Sequence, residues 1–200
     1  MGVDVVGSRR LMLRPTRGWR DIDPVEGLAQ AWGWQQRTVT VSAPDPFEEP
    51  LHVSWWDEDL PMALHYYEDF DVRFSYLIIT GVDAGEVGDA FERAETWLDA
   101  WSLEELLAEA RSDSDPEDRA KAVERAGFAA PLEFDERFFA VIDDALRHDD
   151  PRVREGGIWA VTMALYPQFQ PRLETIAETD EVEVLRKMAE ALARGLDDDS

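Results

Sequence analysis

The chain has 200 residues, of which 44 are acidic and 20 basic, with three histidines, eight tryptophans and no cysteine, giving a formal net charge of −24. That balance argues against direct binding to nucleic acid or to an anionic membrane, because each phosphate contact requires a cation. The lack of cysteine removes disulfides, thiol nucleophiles and thiolate-ligated metals, so the fold is expected to rest on packing alone.

No run approaches the roughly 18 apolar residues of a membrane span, and the first residues lack the apolar core of a signal peptide, so a cytoplasmic location is expected. Asparagine is absent and lysine occurs twice against eighteen arginines, a bias expected of a GC-rich bacterial coding sequence.

Residues 1–20 carry five arginines and one aspartate, show no periodicity, and read as a basic arm or a first irregular strand. An α+β domain is expected over 21–101. Asp23 and Pro24 open a short helix in which Val25, Leu28, Ala29 and Trp32 fall at helical spacing, with Asp23 read as the cap. From Arg37 the period changes to two, with Val39, Val41 and Ala43 alternating with Thr38, Thr40 and Ser42. Residues 51–56, about 62–67 and 72–80 supply three more strands, predicting an antiparallel meander of about four strands with 72–80 in a central place. A helix from Gly85 to Trp101, with Val87, Phe91, Ala94, Leu98 and Trp101 in one stripe, is expected to cover it.

After Ser102 the pattern is helical and repeats. Asp115, Pro116 and Arg119 recur 35 residues later as Asp150, Pro151 and Arg154, and a weaker copy follows at Thr179 to Val182 with Arg186. An amphipathic segment precedes each copy. Paired helices whose second member opens on Asp-Pro resemble HEAT repeats, and the resemblance covers about residues 102–196, before an acidic tail at 197–200. It implies a stack of α-hairpins in which the Pro starts the inner helix and the Arg orients it against its neighbour.

Three patterns bear on chemistry. Gly81, Gly85 and Gly88 lie between a strand and a helix, where glycines cradle phosphates, but Asp83, Glu86 and Asp89 would repel them, so a turn and helix start is expected. Asp113, Asp115, Glu117 and Glu124 imitate a calcium loop without its glycine at the sixth position, so a capped turn is expected there. His52 and His65 lie on neighbouring predicted strands, where a metal site competes with half-exposed strand histidines. No nucleophile, base and orienting group can be named together, so no catalytic residues, no metal and no cofactor are assigned.

The densest aromatic and acidic clusters are Trp55 to Asp59 and Tyr66 to Asp71. Alternation along a strand puts one aromatic of each pair on the open face of the sheet. Trp56, Asp57, Glu58, Asp59, Tyr67, Glu68, Asp69 and Asp71 are the candidate partner-binding residues, because aromatics anchor an interface and acids steer and pair with Arg or Lys. The expectation is therefore a non-enzymatic acidic module that binds a basic or neutral protein, such as an immunity protein or inhibitor that neutralises a basic bacterial toxin. The alternatives are a HEAT-like regulatory scaffold holding a peptide near Arg119, Arg152 and Arg154, a metal-dependent enzyme using His52 and His65, and a DNA mimic.

Overall fold

The computed structural model describes residues 4–14, 22–40, 51–57, 59–69, 73–112 and 114–198. The chain divides into two compact units, Met1–Trp101 and Ser102–Ser200. Among the described residues no helix is long and apolar enough to cross a membrane.

The first unit is an antiparallel sheet covered by helices. Its strands are β1 (Val6–Gly7), β2 (Leu11–Met12), β3 (Gln35–Thr40), β4 (Leu51–Trp56), β5 (Ala63–Asp69) and β6 (Phe74–Gly81). Strands β3 to β6 form the expected meander, and β1 and β2 both pair with the outer edge of β6, which makes β6 an interior strand. Register places Val53 opposite Tyr66 and Trp55 opposite Leu64, and then Tyr66 opposite Leu77 and Leu64 opposite Ile79. These six side chains are buried on one face. Helix α1 (Asp23–Ala31) lays Val25, Leu28 and Ala29 on that face, and α2 (Ala84–Trp97) lays Val87, Ala90, Phe91 and Ala94 on it.

Of the two readings of residues 1–20, a basic arm or a first irregular strand, the strand is found: β1 and β2 pair with β6, and Leu11 and Leu13 join the core. Arginines masked the pattern. Arg9 lies over the Phe91 ring at 4.5 Å and pairs with Glu95 at 2.7 Å, while Arg14 lies over Trp101 at 3.8 Å, so their stems cover apolar surface and their charges are answered locally. Helix α2 stops at Trp97 instead of Trp101, because the backbone beside β2 claims the next residues: Arg14 N donates to Asp99 O and Trp101 N to Met12 O, both at 2.9 Å. Helix α1 includes Asp23 and has no side-chain cap. The strand expected over 37–43 begins at Gln35, and its residues 41–43 lie outside the described ones.

The second unit is three α-hairpins: α3 (Leu103–Ala110) with α4 (Pro116–Ala129), α5 (Glu136–Leu146) with α6 (Pro151–Ala164), and α7 (Gln170–Thr179) with α8 (Glu183–Asp198). Asp115 and Asp150 cap α4 and α6 by accepting backbone N–H bonds from Glu117 and Asp118 and from Arg152 respectively. The calcium-like motif is thus a capped turn around Asp115, with Asp113 outside the described residues. Arg154 is the tie between hairpins. Its Nε and Nη2 hold both oxygens of Asp180 at 2.7 and 3.0 Å, and Nη1 donates to the carbonyls of His148 and Asp149 at 2.9 Å. Arg186 donates to the Asp180 carbonyl, repeating part of this geometry in the third copy.

Helices α4 and α6 meet along a seam of small residues. A Cβ on Gly127 would stand 2.4 Å from Ala160 Cα, and one on Gly156 would stand 2.8 Å from Ala120 O, so backbone faces backbone at both points. Substitution there has no flexible side chain to push aside. Gly127→Val and Gly156→Val are each expected to cost about 3 kcal/mol or more of stability in urea denaturation. Gly195→Ala, in α8 with nothing within 4 Å, is expected to be neutral or to stabilise by about 0.5–1 kcal/mol.

Candidate functional site

The sheet face opposite α1 and α2 carries a ladder of rings. Tyr67 stacks between His52 at 4.5 Å and Tyr76 at 5.1 Å. His52 Nε2 and His65 Nδ1 are 3.0 Å apart, and His65 Nε2 is 2.9 Å from Thr80 Oγ1, so a hydrogen-bonded chain crosses three strands. The two histidines, read from the sequence as lying on neighbouring strands, share a face. Burial pushes the His65 pKa down to about 4, with the neighbouring His52 adding to the shift, and burial also lowers His52. A buried ring beside a second ring holds its neutral form because there is no counter-charge to favour the cation. Among the described residues no cluster of three or more His, Asp or Glu side chains is arranged to hold a metal, and here the ring nitrogens find partners in each other and in Thr80.

Among the described residues, those expected to bind a partner do not share one face. Trp56 and Tyr67 lie on the ladder face, Trp56 being exposed with its Nε1 donating to Ser54 Oγ at 3.2 Å. Asp57 caps the β4–β5 turn, its Oδ1 accepting from Asp59 N at 2.8 Å and Leu60 N at 3.0 Å, and Asp59 is exposed. Glu68 is not a surface acid. It is 3% exposed and accepts a 2.9 Å bond from the Tyr66 hydroxyl, because the alternation that turns Tyr67 outward turns Tyr66 and Glu68 inward. Glu58, Asp71 and the side chain of Asp69 lie outside the described residues.

A different surface of the first unit is concave, aromatic and acidic. Trp32, Asp89, Glu92, Arg93, Thr96 and Trp97 line a groove of about 790 Å³. A second lobe of about 370 Å³ shares Trp32, Asp89 and Arg93 and extends to Trp34, Asp57, Leu60 and Glu86. Asp83 starts the helix that bears most of these residues, accepting from Glu86 N at 3.0 Å, and Gly81 lets Val87 and Met62 close over the strand end. The glycine-rich segment is therefore a turn and a helix cap. Asp89, Arg93 and Trp97 stand at i, i+4 and i+8 on α2, on the side away from its core stripe. The one local signal in the sequence was that Trp97 falls outside the Val87–Phe91–Ala94 stripe.

In the second unit Arg119, Arg152 and Arg154, the candidates for holding a peptide, each pair with a carboxylate of the same unit. Arg154 is 8% exposed and saturated by Asp180 and two carbonyls, Arg119 pairs with Asp144 at 2.8 Å, and Arg152 folds back on Asp150 at 2.8 Å. Helix α4 carries the half-buried Glu124, while α6 presents Glu155 and Trp159 to solvent. Burial raises the Glu124 pKa to about 7, and the charge of Glu155 adds to the rise.

The family model for HEAT repeats matches residues 103–193, which are the three hairpins just described. The second unit is therefore similar to a stack of HEAT repeats. Asp-Pro caps and the Arg154 tie take the places that the resemblance assigned them. HEAT repeats commonly mediate protein–protein binding through stacked helices, so an interaction scaffold is the general role this unit suggests. No curated protein and no solved structure matches the chain.

The histidine chain makes the first unit sensitive to acid. Both histidine pKa values lie below the ordinary 6.5, so the neutral-ring contribution to stability is complete above pH 6.5 and is lost as pH falls toward 4. Thermal unfolding between pH 7.5 and 4.5 is expected to show this loss. The His52→Gln, His65→Gln double variant is expected to flatten it, and a ring proton resonance of His65 should remain that of a neutral imidazole to about pH 4.

Proposed function

We propose that this protein is a non-enzymatic binding module that covers a basic protein, in the manner of an immunity protein or inhibitor set against a positively charged toxin. One observation carries the reading: the chain has a net charge of −24, which ion pairing within the fold cannot reduce, because each pair removes one acid with each cation. Arg125 with Glu109 at 2.7 Å, Arg154 with Asp180 at 2.7 Å, and Arg172 with Asp143 at 2.8 Å each hold one part of the helical unit to another. Acids without such duties, among them Asp59, Glu86, Asp89, Glu92 and Glu155, are exposed. A surface of that sign accelerates encounter with a positive partner and repels a negative one. Exposed Trp97 and Trp159 supply the aromatic anchors that charge alone does not.

Affinity capture from the native host tests this. The retained chain is expected to be basic, and to be released as salt is raised toward 1 M, where the screening length falls to about 3 Å. An acidic partner, or retention indifferent to salt, would contradict the reading.

A further inference from the structure

We propose that the groove between Trp32 and Trp97 is a receptor for an arginine side chain presented by the basic partner. This rests on the reading above and names the surface and the group it takes. The groove already contains an internal example of its ligand. The Arg93 guanidinium lies over the Trp32 ring, 5.0 Å from its centroid, while its Nε donates to the Asp89 carbonyl at 3.3 Å. One turn further along α2, Trp97 is 60% exposed, and among the described residues no ring or guanidinium covers it.

Charge selects the occupant. Glu86, Asp89 and Glu92 are exposed along the groove and, among the described residues, make no ion pair, while Asp57 adds a fourth carboxylate at the far lobe. Arg93 is the one cation lining either lobe among the described residues. A neutral or acidic segment would leave those carboxylates desolvated without partners. A lysine could answer the charge but has no planar group to lie on the indole. A guanidinium does both, stacking on a ring through its face and forking to carboxylates through its edge. The volume of about 790 Å³ exceeds one side chain, so the groove holds an arginine together with its flanking backbone.

The test uses the whole chain and two acetylated peptides of equal length and charge, Gly-Arg-Gly-Arg-Gly and Gly-Lys-Gly-Lys-Gly, titrated at low salt with indole fluorescence and calorimetry as readouts. The arginine peptide is expected to bind more tightly than the lysine peptide and to perturb Trp97. Trp97→Ala, and separately Asp89→Asn with Glu92→Gln, should each weaken it about tenfold. Because these side chains are exposed, the thermal unfolding midpoint should stay where it is, which separates loss of the site from loss of the fold. Equal binding of the two peptides, or arginine-peptide affinity unchanged in both variants, overturns the groove assignment. If those variants still hold the captured basic partner in a salt-sensitive way, the general reading survives and only the groove falls. If neither peptide nor any basic protein binds, both fall. Self-association in the absence of peptide, abolished by Trp97→Ala, would make the occupant a second copy of this chain and overturn the arginine-bearing partner.

Discussion

The Arg154–Asp180 pair holds the helical unit in register. Both side chains are almost wholly buried, the two oxygens of Asp180 are met by two nitrogens of one guanidinium, and the remaining donor reaches the turn before α6. Burying two charges is costly, and it is tolerable here because the hydrogen bonding is nearly complete. Removing one partner would leave the other buried and unpaired, a loss of about 3–5 kcal/mol. Such ties demand fixed geometry, and the glycine–alanine seam between α4 and α6 supplies it by bringing the helices into backbone contact.

With 20 cations against 44 carboxylates, pairing every cation would still leave 24 acids over, so the excess negative charge is set by composition. In the first unit Arg9 and Arg14 are laid over Phe91 and Trp101, as the paired arginines of the second unit are committed to partners within the fold.

Much of this was readable from local pattern. Asp115-Pro116 and Asp150-Pro151 announce helix starts because capping involves neighbours in sequence, and the alternation in β4 separates buried Trp55 from exposed Trp56. The helical repeat was legible because its period is carried by those caps. Glu68 was misplaced because its environment is set by a strand parity that its acidic neighbours obscure and by a bond from Tyr66. Residues 6–13 stayed open between arm and strand because arginines interrupt the apolar pattern, and their burial depends on rings more than 70 residues away. The groove was not legible beyond the Trp97 spacing for a related reason: it is assembled from the turn after α1, the β4–β5 turn and the outer side of α2. Asp57 is the one described candidate partner-binding residue that lies on it.

The account stands on electrostatic attraction guiding association, and the rate of that association measures it most directly. Mixing the protein with its captured partner at rising ionic strength should give an association rate constant that falls steeply, by tenfold or more from about 10 mM to about 500 mM salt, while dissociation changes little. A rate constant that stays flat across that range would mean that the negative exterior does not direct the encounter.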